Sequence, residues 1–448
     1  MLKKWLHKVL PGKSAKPRRA QKQVIPFSEH RIGADMLSFA AEKVVRRLHN
    51  QGFEAYVVGG AVRDLLLGIE PKDFDIATNA TPEQVRKIFR RSRIIGRRFQ
   101  IVHVMVGPET IEVTTFRGGG KVQQNEHGRI MKDNVYGSMA EDAMRRDFTC
   151  NALYYDPITQ HIIDFHHGLA DIQARQLVMI GNTAERYQED PVRILRAVRL
   201  SGKLGFEVEY ETAAPITAYA GRLKLEPVAR LFDEIMKLLF SGHAVQCLAQ
   251  LDKLGIPDNI HPILTALQHA VADSDNIVSL ALRNTDERLR ADKSVSVGFV
   301  LAAAMWPRLN EIWQHNTAQG IRPVPALTQA INELLDAEKG WGVPQRFSAT
   351  MREIWQLQPQ FENIKGARPH RLIAQQRFRA AYDFMLLRAE TGNADKVLAR
   401  WWTTFQSADD ETRLQMTAAA QNNHNNGEAK RKRRRKPRKK KENPQDAV

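Results

Sequence analysis

The sequence contains few cysteines and no long apolar run. Only Cys150 and Cys247 occur among the 448 residues, which excludes a disulfide framework and favours a reducing compartment such as the cytoplasm. No run of about 18 apolar residues exists, so no transmembrane helix is expected. Residues 1–10 are too short and too interrupted by lysines for a secretory signal peptide.

Acidic residues are too few to balance the basic ones, and the formal net charge is +17. Residues 1–22 contain eight Lys or Arg and no acid, and residues 430–441 read KRKRRRKPRKKK, whereas residues 23–429 are formally neutral. Flexible basic ends attract polyanions through salt-sensitive contacts that ignore sequence, so nucleic acid is the expected partner. A solubility tail is the alternative, although such a dense cluster exceeds what solubility requires.

Composition and length predict a globular protein of several domains. Hydrophobic residues make up 43% and charged residues 26% of the chain, as in ordinary folded domains. Apolar residues within residues 1–10 fall at helical spacing opposite lysines. Contact of this segment with an anionic membrane is therefore an alternative to a frayed, disordered end, but not the favoured one.

Local patterns predict strands in the first part of the chain and helices after it. Thr81 followed by Pro82 and, three residues after Thr81, by Gln84 predicts a capped helix start. Alternating residues on either side of a turn at Gly107 predict a hairpin over residues 100–116. Strand patterns fade after about residue 180, and helical spacing then dominates.

The most informative segment is GGAVRD, which begins at Gly59 and is followed by DFD at Asp73, Phe74 and Asp75. It predicts a strand, a glycine turn, a short helix and a second strand carrying both aspartates. Side chains alternate along a strand, so the two carboxylates share a face while Phe74 faces the core. Two such carboxylates repel each other unless a cation lies between them. The cation usually found between paired carboxylates is Mg²⁺, which also binds the phosphates of a substrate. The glycines allow the backbone to approach those phosphates.

Two further segments add candidate residues. Glu112 faces opposite to its apolar neighbours on a predicted strand, so it joins the two aspartates if that face meets theirs; an exposed strand glutamate is the alternative. In EDAMRRDFT, which begins at Glu141, Arg146 suits a triphosphate because its planar fork bonds two oxygens. Asp147 could bond a ribose hydroxyl or support a metal site. A salt-bridge cluster on a helix surface is the alternative.

A helix is predicted from EDPVRILRAVR, which begins at Glu189. Asp190, Arg193, Arg196 and Arg199 are spaced by three and form one stripe. An aspartate and an arginine side by side can read the edge of a nucleotide base, which offers both donors and acceptors. A solvated helix face is the alternative interpretation.

The ordered motifs GGAVRD, DFD, IEVTTFR, RRDFTCNAL, DFHHG and EDPVRILRAVR resemble the class II nucleotidyltransferase superfamily over roughly residues 50–240. That superfamily holds bacterial poly(A) polymerases and CCA-adding tRNA nucleotidyltransferases. The resemblance implies an α+β fold, with a mixed-sheet nucleotidyltransferase palm, or head, followed by all-α neck and body domains and disordered basic termini. The implied order is an arm at 1–30, the head at 31–172, the neck that binds nucleotide bases and RNA at 173–270, the RNA-binding body at 271–405, and a linker with basic tail at 406–448.

The resemblance also implies a role for each candidate residue. Asp73 and Asp75 take the metal-ligand positions for two Mg²⁺ ions, with Mn²⁺ as a substitute, and Glu112 and Asp147 take acidic catalytic positions beside them. The remaining residues implied to bind the nucleotide are Gly59, Gly60, Arg63 and Arg146 for triphosphate and ribose, and Asp190, Arg193 and Arg196 for the base.

Two segments favour the poly(A) polymerase branch. IIGRRFQIVHV at 94–104 resembles that branch, as does ARLFDE at 229–234, where CCA-adding enzymes usually carry a Glu-Arg pattern. No His-Asp dipeptide occurs, so the phosphohydrolase domain of some CCA-adding enzymes is absent. The implied activity is template-independent transfer of AMP from ATP to RNA 3′ ends, with release of pyrophosphate, in RNA decay.

The expected partners are ATP, single-stranded RNA 3′ ends and RNA-decay proteins rather than DNA, and the expected state is a cytoplasmic monomer. Two other functions stay open. One is a CCA-adding tRNA nucleotidyltransferase. The other is an inactive RNA-binding or scaffold protein, against which the complete set of candidate site residues argues.

Overall fold

The computed structural model describes residues 21–96, 100–119, 123–124, 130–132, 135–271, 273, 275–337 and 340–421. The chain separates into two compact units that divide between Ile260 and His261. The basic run at 430–441 and most of the N-terminal arm lie outside the described residues.

The first unit contains a mixed sheet of eight strands in the order β1-β10-β9-β2-β3-β6-β5-β4. Its strands are β1 (Gln23–Ile25), β2 (Ala55–Val58), β3 (Asp75–Thr78), β4 (Ser92–Ile95), β5 (Ile101–Val106), β6 (Glu109–Thr115), β9 (Leu153–Asp156) and β10 (His161–Asp164). Two small sheets pair β7 (Gln123–Gln124) with β8 (Ile130–Lys132) and β11 (Gln176–Leu177) with β12 (Glu207–Val208). Within the large sheet β3 and β6 are parallel, and the other neighbours are antiparallel. The expected mixed sheet is confirmed.

Helices surround and follow this sheet in the first unit. They are α1 (Phe27–His30), α2 (Phe39–Asn50), α3 (Gly60–Leu66), α4 (Pro82–Ile88), α5 (Met139–Arg145), α6 (Gly168–Gln173), α7 (Thr183–Glu189), α8 (Val192–Leu204), α9 (Tyr210–Ala213), α10 (Ile216–Ala220), α11 (Val228–Leu239) and α12 (Ala244–Lys253). Short 3₁₀ turns occur at Ala34–Met36, Thr149–Asn151 and Gly221–Leu225.

The regular secondary structure of the second unit, among its described residues, is helical. Its helices are α13 (Pro262–Val271), α14 (Ile277–Arg290), α15 (Val297–Ala318), α16 (Pro323–Ala337), α17 (Gln345–Leu357), α18 (Arg368–Ile373), α19 (Phe378–Glu390), α20 (Lys396–Ser407) and α21 (410–421), with a 3₁₀ turn at Gln358–Glu362. Aromatic residues such as Trp355, Phe361 and Trp402 are fully buried in its core. No described helix of either unit is long and apolar enough to cross a membrane.

Helix α2 covers part of one face of the large sheet. Ser38 caps this helix by accepting a hydrogen bond from the backbone N–H of Ala41 at 3.1 Å. The helix lies against β2, β3 and β6, and its apolar stripe is buried. Alternation along β6 buries Ile111 and Val113 and turns Glu112 outward.

Two expectations about disorder are wrong at their edges. Residues 23–25 of the arm expected at 1–30 form β1, which pairs with β10, and Phe27–His30 is helical. Pairing to the edge of a sheet orders a segment whose composition alone looks like a tail. The linker expected from residue 406 is helical at 410–421, where Thr417 is buried.

Candidate active site

The glycine turn lies between β2 and α3 and brings two arginines close to the backbone. Gly59 has φ 77° and ψ −132°, a conformation that side chains disfavour. A Cβ atom at Gly59 would lie 3.4 Å from Nη1 of Arg146, and one at Gly60 would lie 3.4 Å from Nη2 of Arg63. The absence of side chains at both positions therefore gives the guanidinium groups room beside the turn.

Asp75 and Glu112 are neighbours across the parallel pair β3 and β6. Surrounding protein raises the pKa of Asp75 to about 6, and Glu112 and Asp73 add to this rise while Arg146 opposes it. The Asp75 carboxylate still has solvent-accessible surface, so it can reach a ligand. Carboxylate oxygens in mutual repulsion are the donor type that a divalent cation such as Mg²⁺ binds, and the residues present fit such an ion.

Asp73 takes a different position from the one expected. Strand β3 begins only at Asp75, so Asp73 lies in the preceding loop, is exposed and does not line the cleft. Phe74 is buried, as alternation predicts. Oε1 of Glu112 lies within hydrogen-bond distance, 3.2 Å, of Nε2 of His103. Among the described residues, no three His, Cys, Asp or Glu side chains are arranged to hold a metal ion. An ion at Asp75 would therefore take further oxygens from a phosphate ligand.

A cleft of about 480 Å³ opens beside these carboxylates. Its lining contains seven arginines and five acidic residues, so its charge favours a polyanionic ligand. The candidate residues that it brings together are Gly59, Gly60, Arg63, Asp75, Glu112, Arg146, Asp147, Asp190, Arg193 and Arg196, and it adds Val58, Thr114, Arg117, Asp142, Arg145, Asn151, Arg199 and Leu200.

Arg63 is buried and its guanidinium is already bonded. It donates to Oδ1 of Asp64 through Nε at 2.8 Å and through Nη2 at 2.6 Å, and to Oδ1 of Asn151 through Nη1 at 2.5 Å. Lys203 of α8 approaches the other oxygen of Asp64 at 3.8 Å. Arg63 thus joins α3 to the 3₁₀ turn at Asn151 and fixes the glycine turn between them.

Arg146 follows the C-terminal end of α5 and is held by Tyr154, Asp142 and the carbonyl of Asn151, to which Nη1 donates at 3.3 Å. Nε donates to the hydroxyl of Tyr154 at 3.0 Å, and Nη2 donates to Oδ2 of Asp142 at 3.1 Å. Burial alone would lower the pKa of Arg146, but Tyr154 and Asp142 outweigh burial and raise it. The guanidinium is fully charged and oriented before any ligand binds.

Asp147 lines the cleft, but both of its carboxylate oxygens already accept hydrogen bonds from protein donors. Oδ2 accepts from Nε and Nη2 of Arg196 at 2.7 and 2.5 Å, and Oδ1 accepts from the N–H of Phe148 at 2.8 Å and from Asn151 at 3.2 Å. Burial would raise the pKa of Asp147, but Arg196 and these donors hold it well below its usual range. This carboxylate ties the end of α5 to α8.

The polar stripe of α8 faces the cleft along its whole length, and Asp190 precedes the helix. Nη1 of Arg193 donates to Oε2 of Glu189 at 3.2 Å and to the carbonyl of Arg186 at 2.7 Å. Oδ2 of Asp190 accepts from Nη2 of Arg230 in α11 at 2.7 Å. Arg193 therefore lines the cleft with its guanidinium held in place by Glu189 and the carbonyl of Arg186.

Sequence reasoning missed several residues that shape this cleft. Asp142 lies four residues before Arg146, and that helical spacing could have identified it as the partner. Tyr154 lies eight residues from its partner Arg146. Arg230 lies forty residues from its partner Asp190. No spacing rule connects such residues, so only the fold reveals those contacts.

Three family models match the chain. The model described as Poly A polymerase head domain matches residues 55–178, the one described as "Probable RNA and SrmB- binding site of polymerase A" matches 205–268, and Polymerase A arginine-rich C-terminus matches 319–440. The first match contains the glycine turn, both strands of the carboxylate pair and Arg146.

Similar proteins separate the two branches that the sequence left open. Poly(A) polymerase I of Salmonella typhi is 42% identical over 404 residues, which are 87% of each chain. The CCA-adding enzyme of Enterococcus faecalis is 39% identical over 199 residues, which are 44% of this chain and 48% of that one. Among solved structures, the Bacillus stearothermophilus CCA-adding enzyme in complex with CTP aligns with a TM-score of 0.54 and 26% identity over 84% of this chain and 81% of that one.

In sequence, the Enterococcus faecalis CCA-adding enzyme thus matches less than half of the chain, whereas the Salmonella typhi poly(A) polymerase I matches 87% of it. The Bacillus stearothermophilus structure shares the fold over most of the chain at lower identity. The resemblance inferred from the motifs is confirmed, and so is the fold class, a mixed-sheet head followed by helices. The chain belongs to the bacterial poly(A) polymerase I family of nucleotidyltransferases.

Proposed function

We propose that this polynucleotide adenylyltransferase adds AMP from ATP to the 3′ ends of single-stranded RNA, without a template, and releases pyrophosphate. The observation that carries the proposal is the cleft itself, in which Asp75 and Glu112 line the same cavity as Arg146 and the arginine stripe of α8. A nucleoside triphosphate needs that combination of cationic donors, a carboxylate pair and a polar surface for the base.

Two Mg²⁺ ions, or Mn²⁺ in their place, would be held by Asp73 and Asp75 together with phosphate oxygens, and would lower the pKa of the RNA 3′-hydroxyl and neutralise the leaving pyrophosphate. Glu112 adds negative charge beside Asp75.

Protein side chains orient the nucleotide in this proposal. Arg146 binds the triphosphate and ribose end, and Arg63 holds the glycine turn that admits the phosphates. Asp147 acts through Arg196, whose position it fixes on α8. Asp190 and Arg193 contact the base edge and favour adenine.

Replacing Arg193 with alanine is expected to raise the ATP KM and to reduce the preference for ATP over CTP by roughly 5- to 100-fold, because base-edge hydrogen bonds contribute about 1–3 kcal/mol. Initial rates of extension with each nucleotide measure the effect. Arg222→Ala is the control, since this arginine lies over Tyr219 and outside the cleft. An unchanged ATP preference in Arg193→Ala would place base recognition elsewhere.

The proposed activity is tested with a generic RNA oligonucleotide and each nucleoside triphosphate supplied alone. A long ladder with ATP only supports poly(A) synthesis. Addition of two C residues and one A to a tRNA that lacks its CCA end would support the CCA-adding alternative. RNA binding without any incorporation would support a scaffold and contradict the proposal.

The proposed setting is the cytoplasm, where the enzyme acts as a monomer with RNA-decay proteins rather than on DNA. We assign the head to residues 31–172, the neck to 173–270 and the RNA-binding body to 271–405. Basic and aromatic residues such as Arg346 and Phe347, in cation–π contact at 4.7 Å, support RNA binding by the body.

Deleting residues 430–448 is expected to weaken RNA binding and to flatten its salt dependence, while AMP addition at saturating RNA stays near the full-length rate. The deleted segment carries eleven cations, and each phosphate neutralised on a single strand contributes about 0.7 to the log–log salt slope. Primer affinity at several salt concentrations measures this. An equal slope in both proteins would show that the rest of the chain supplies the phosphate contacts.

A further inference from the structure

Arg186 of α7 does not line the cleft, yet it touches both of its functional sides. Nη2 donates to the carbonyl of Arg145 at 2.8 Å and also to the carbonyl of Arg146, and Nη1 donates to Oε2 of Glu189 at 3.1 Å. Only 12% of its side chain is exposed. No motif in the sequence analysis assigned a role to this residue.

On the phosphate side, Arg186 caps the C-terminal end of α5 by donating to the carbonyls of Arg145 and Arg146. The last carbonyls of a helix have no partners within the helix, and a cation there also complements the helix dipole. Helix α5 ends at Arg145, and Arg146 follows with φ −66° and ψ 165°. Because Arg186 holds the carbonyl of Arg146, it fixes the backbone from which that side chain enters the cleft.

On the base side, Arg186 and Arg193 share one carboxylate oxygen. Oε2 of Glu189 accepts from Arg186 at 3.1 Å and from Arg193 at 3.2 Å, and the carbonyl of Arg186 accepts from Arg193 at 2.7 Å. Burial, and then the nearby charge of Arg193, lower the pKa of Arg186 to about 10. Arg186 and Arg193 repel each other, and Glu189 holds both of them in place by accepting from each. The carbonyls of Arg145 and Arg146 hold Arg186 in addition.

We propose that Arg186 is a positioning residue that couples Arg146, at the phosphate end of the nucleotide, to Arg193, at its base end. This inference rests on the proposed function for the identity of the nucleotide. The planar guanidinium donates in two directions at once, to the carbonyls and to Glu189. A lysine ammonium lacks that rigid fork and cannot reproduce both contacts in a fixed geometry.

The first experiment compares Arg186→Gln and Arg186→Lys with the control Arg175→Gln. Arg175 also donates to a carbonyl at a helix end, that of Leu204 at 3.3 Å, but it lies outside the cleft lining. Both Arg186 variants are expected to raise the ATP KM about tenfold or more and to reduce the preference for ATP over CTP. The Arg175 variant is expected to retain both values, and urea unfolding of all three reports any general loss of stability.

A double-mutant cycle tests the coupling directly. The dissociation constant of ATP is measured without RNA for Arg146→Ala, Arg193→Ala and the double variant, first with Arg186 present and then in Arg186→Gln. With Arg186 present, the double variant is expected to differ at least about threefold from the product of the single effects, because residues in one network are not additive. In Arg186→Gln the effects are expected to multiply.

Failure of this inference differs from failure of the proposed function. Equal coupling in both backgrounds, or an ATP preference that Arg186→Lys leaves intact, would overturn the positioning role even if RNA is extended normally. A wild-type protein that binds ATP but extends no RNA would contradict the function, while the binding cycle would still decide the coupling. If Arg186→Gln does not fold, Glu189→Ala removes the shared contact and is expected to abolish the same non-additivity.

Discussion

Replacing Asp75 with asparagine is expected to reduce AMP addition by at least about 1,000-fold without disturbing the fold. Electrostatic stabilisation of the reacting phosphate has no substitute where the protein supplies no covalent nucleophile. Asparagine keeps the shape of the side chain and removes its charge. Because burial first, and then repulsion from Glu112, raise the pKa of Asp75 and disfavour its charged form, this substitution is also expected not to lower the free energy of unfolding.

Single-turnover rates with saturating ATP, RNA and Mg²⁺ measure this loss, and circular dichroism with urea unfolding checks the fold. Glu109→Gln is the matched control, because Glu109 is an exposed carboxylate on β6, the same strand as Glu112. Asp73→Asn is expected to cause a loss of similar size, because the proposed function has this loop residue join the ion when ATP binds. Retention of more than about a tenth of the wild-type rate by Asp75→Asn would contradict the metal-ligand assignment.

The parts of the fold that the sequence predicted depend on short-range rules. The capping box is present, with Oγ1 of Thr81 accepting from the N–H of Gln84 at 3.3 Å and the side chain of Gln84 accepting from the N–H of Thr81 at 2.8 Å. Its chemistry is complete within four residues. The hairpin of β5 and β6 and the stripe of α8 follow from alternation and from helical spacing in the same way.

The strands that sequence reasoning missed carry no such signal. All four residues of β9, Leu153–Asp156, are buried, so the strand shows no alternation of apolar and polar residues. Strand β1 is only three residues long and exists because β10 pairs with it. Where two-sided burial or a partner strand determines the structure, a local pattern cannot predict it.

The site follows the same division. Asp75 and Glu112 were expected to converge, since both follow from strand alternation, and the parallel register places them side by side. The pairing of Asp147 with Arg196 spans 49 residues, and no motif specifies it. Asp147 lies within the predicted motif, but its carboxylate accepts hydrogen bonds from protein donors. Its role could therefore be inferred only from the partners that the structure shows.

Replacing Asp147 with alanine is expected to destabilise the protein by about 1–3 kcal/mol, because it leaves the partly buried donors of Arg196, Asn151 and the Phe148 N–H without their acceptor. The carboxylate accepts four hydrogen bonds in the folded protein. Urea unfolding measures the change. Glu42→Gln is the control, since Glu42 pairs with Arg46 at 2.7 Å on an exposed helix surface, and such pairs contribute only about 0–1 kcal/mol.

The stabilisation by Asp147 is expected to depend on pH. The pKa of Asp147 is depressed in the folded protein, so its contribution is fully present above the unfolded value of about 3.9 and is lost as the pH falls toward the lower folded value. The difference in unfolding free energy between wild type and Asp147→Ala is therefore expected to be constant from about pH 5 to 8 and to shrink below about pH 4. A difference that persists unchanged to pH 2 would mean that the side chain stabilises the fold through packing rather than through its charge.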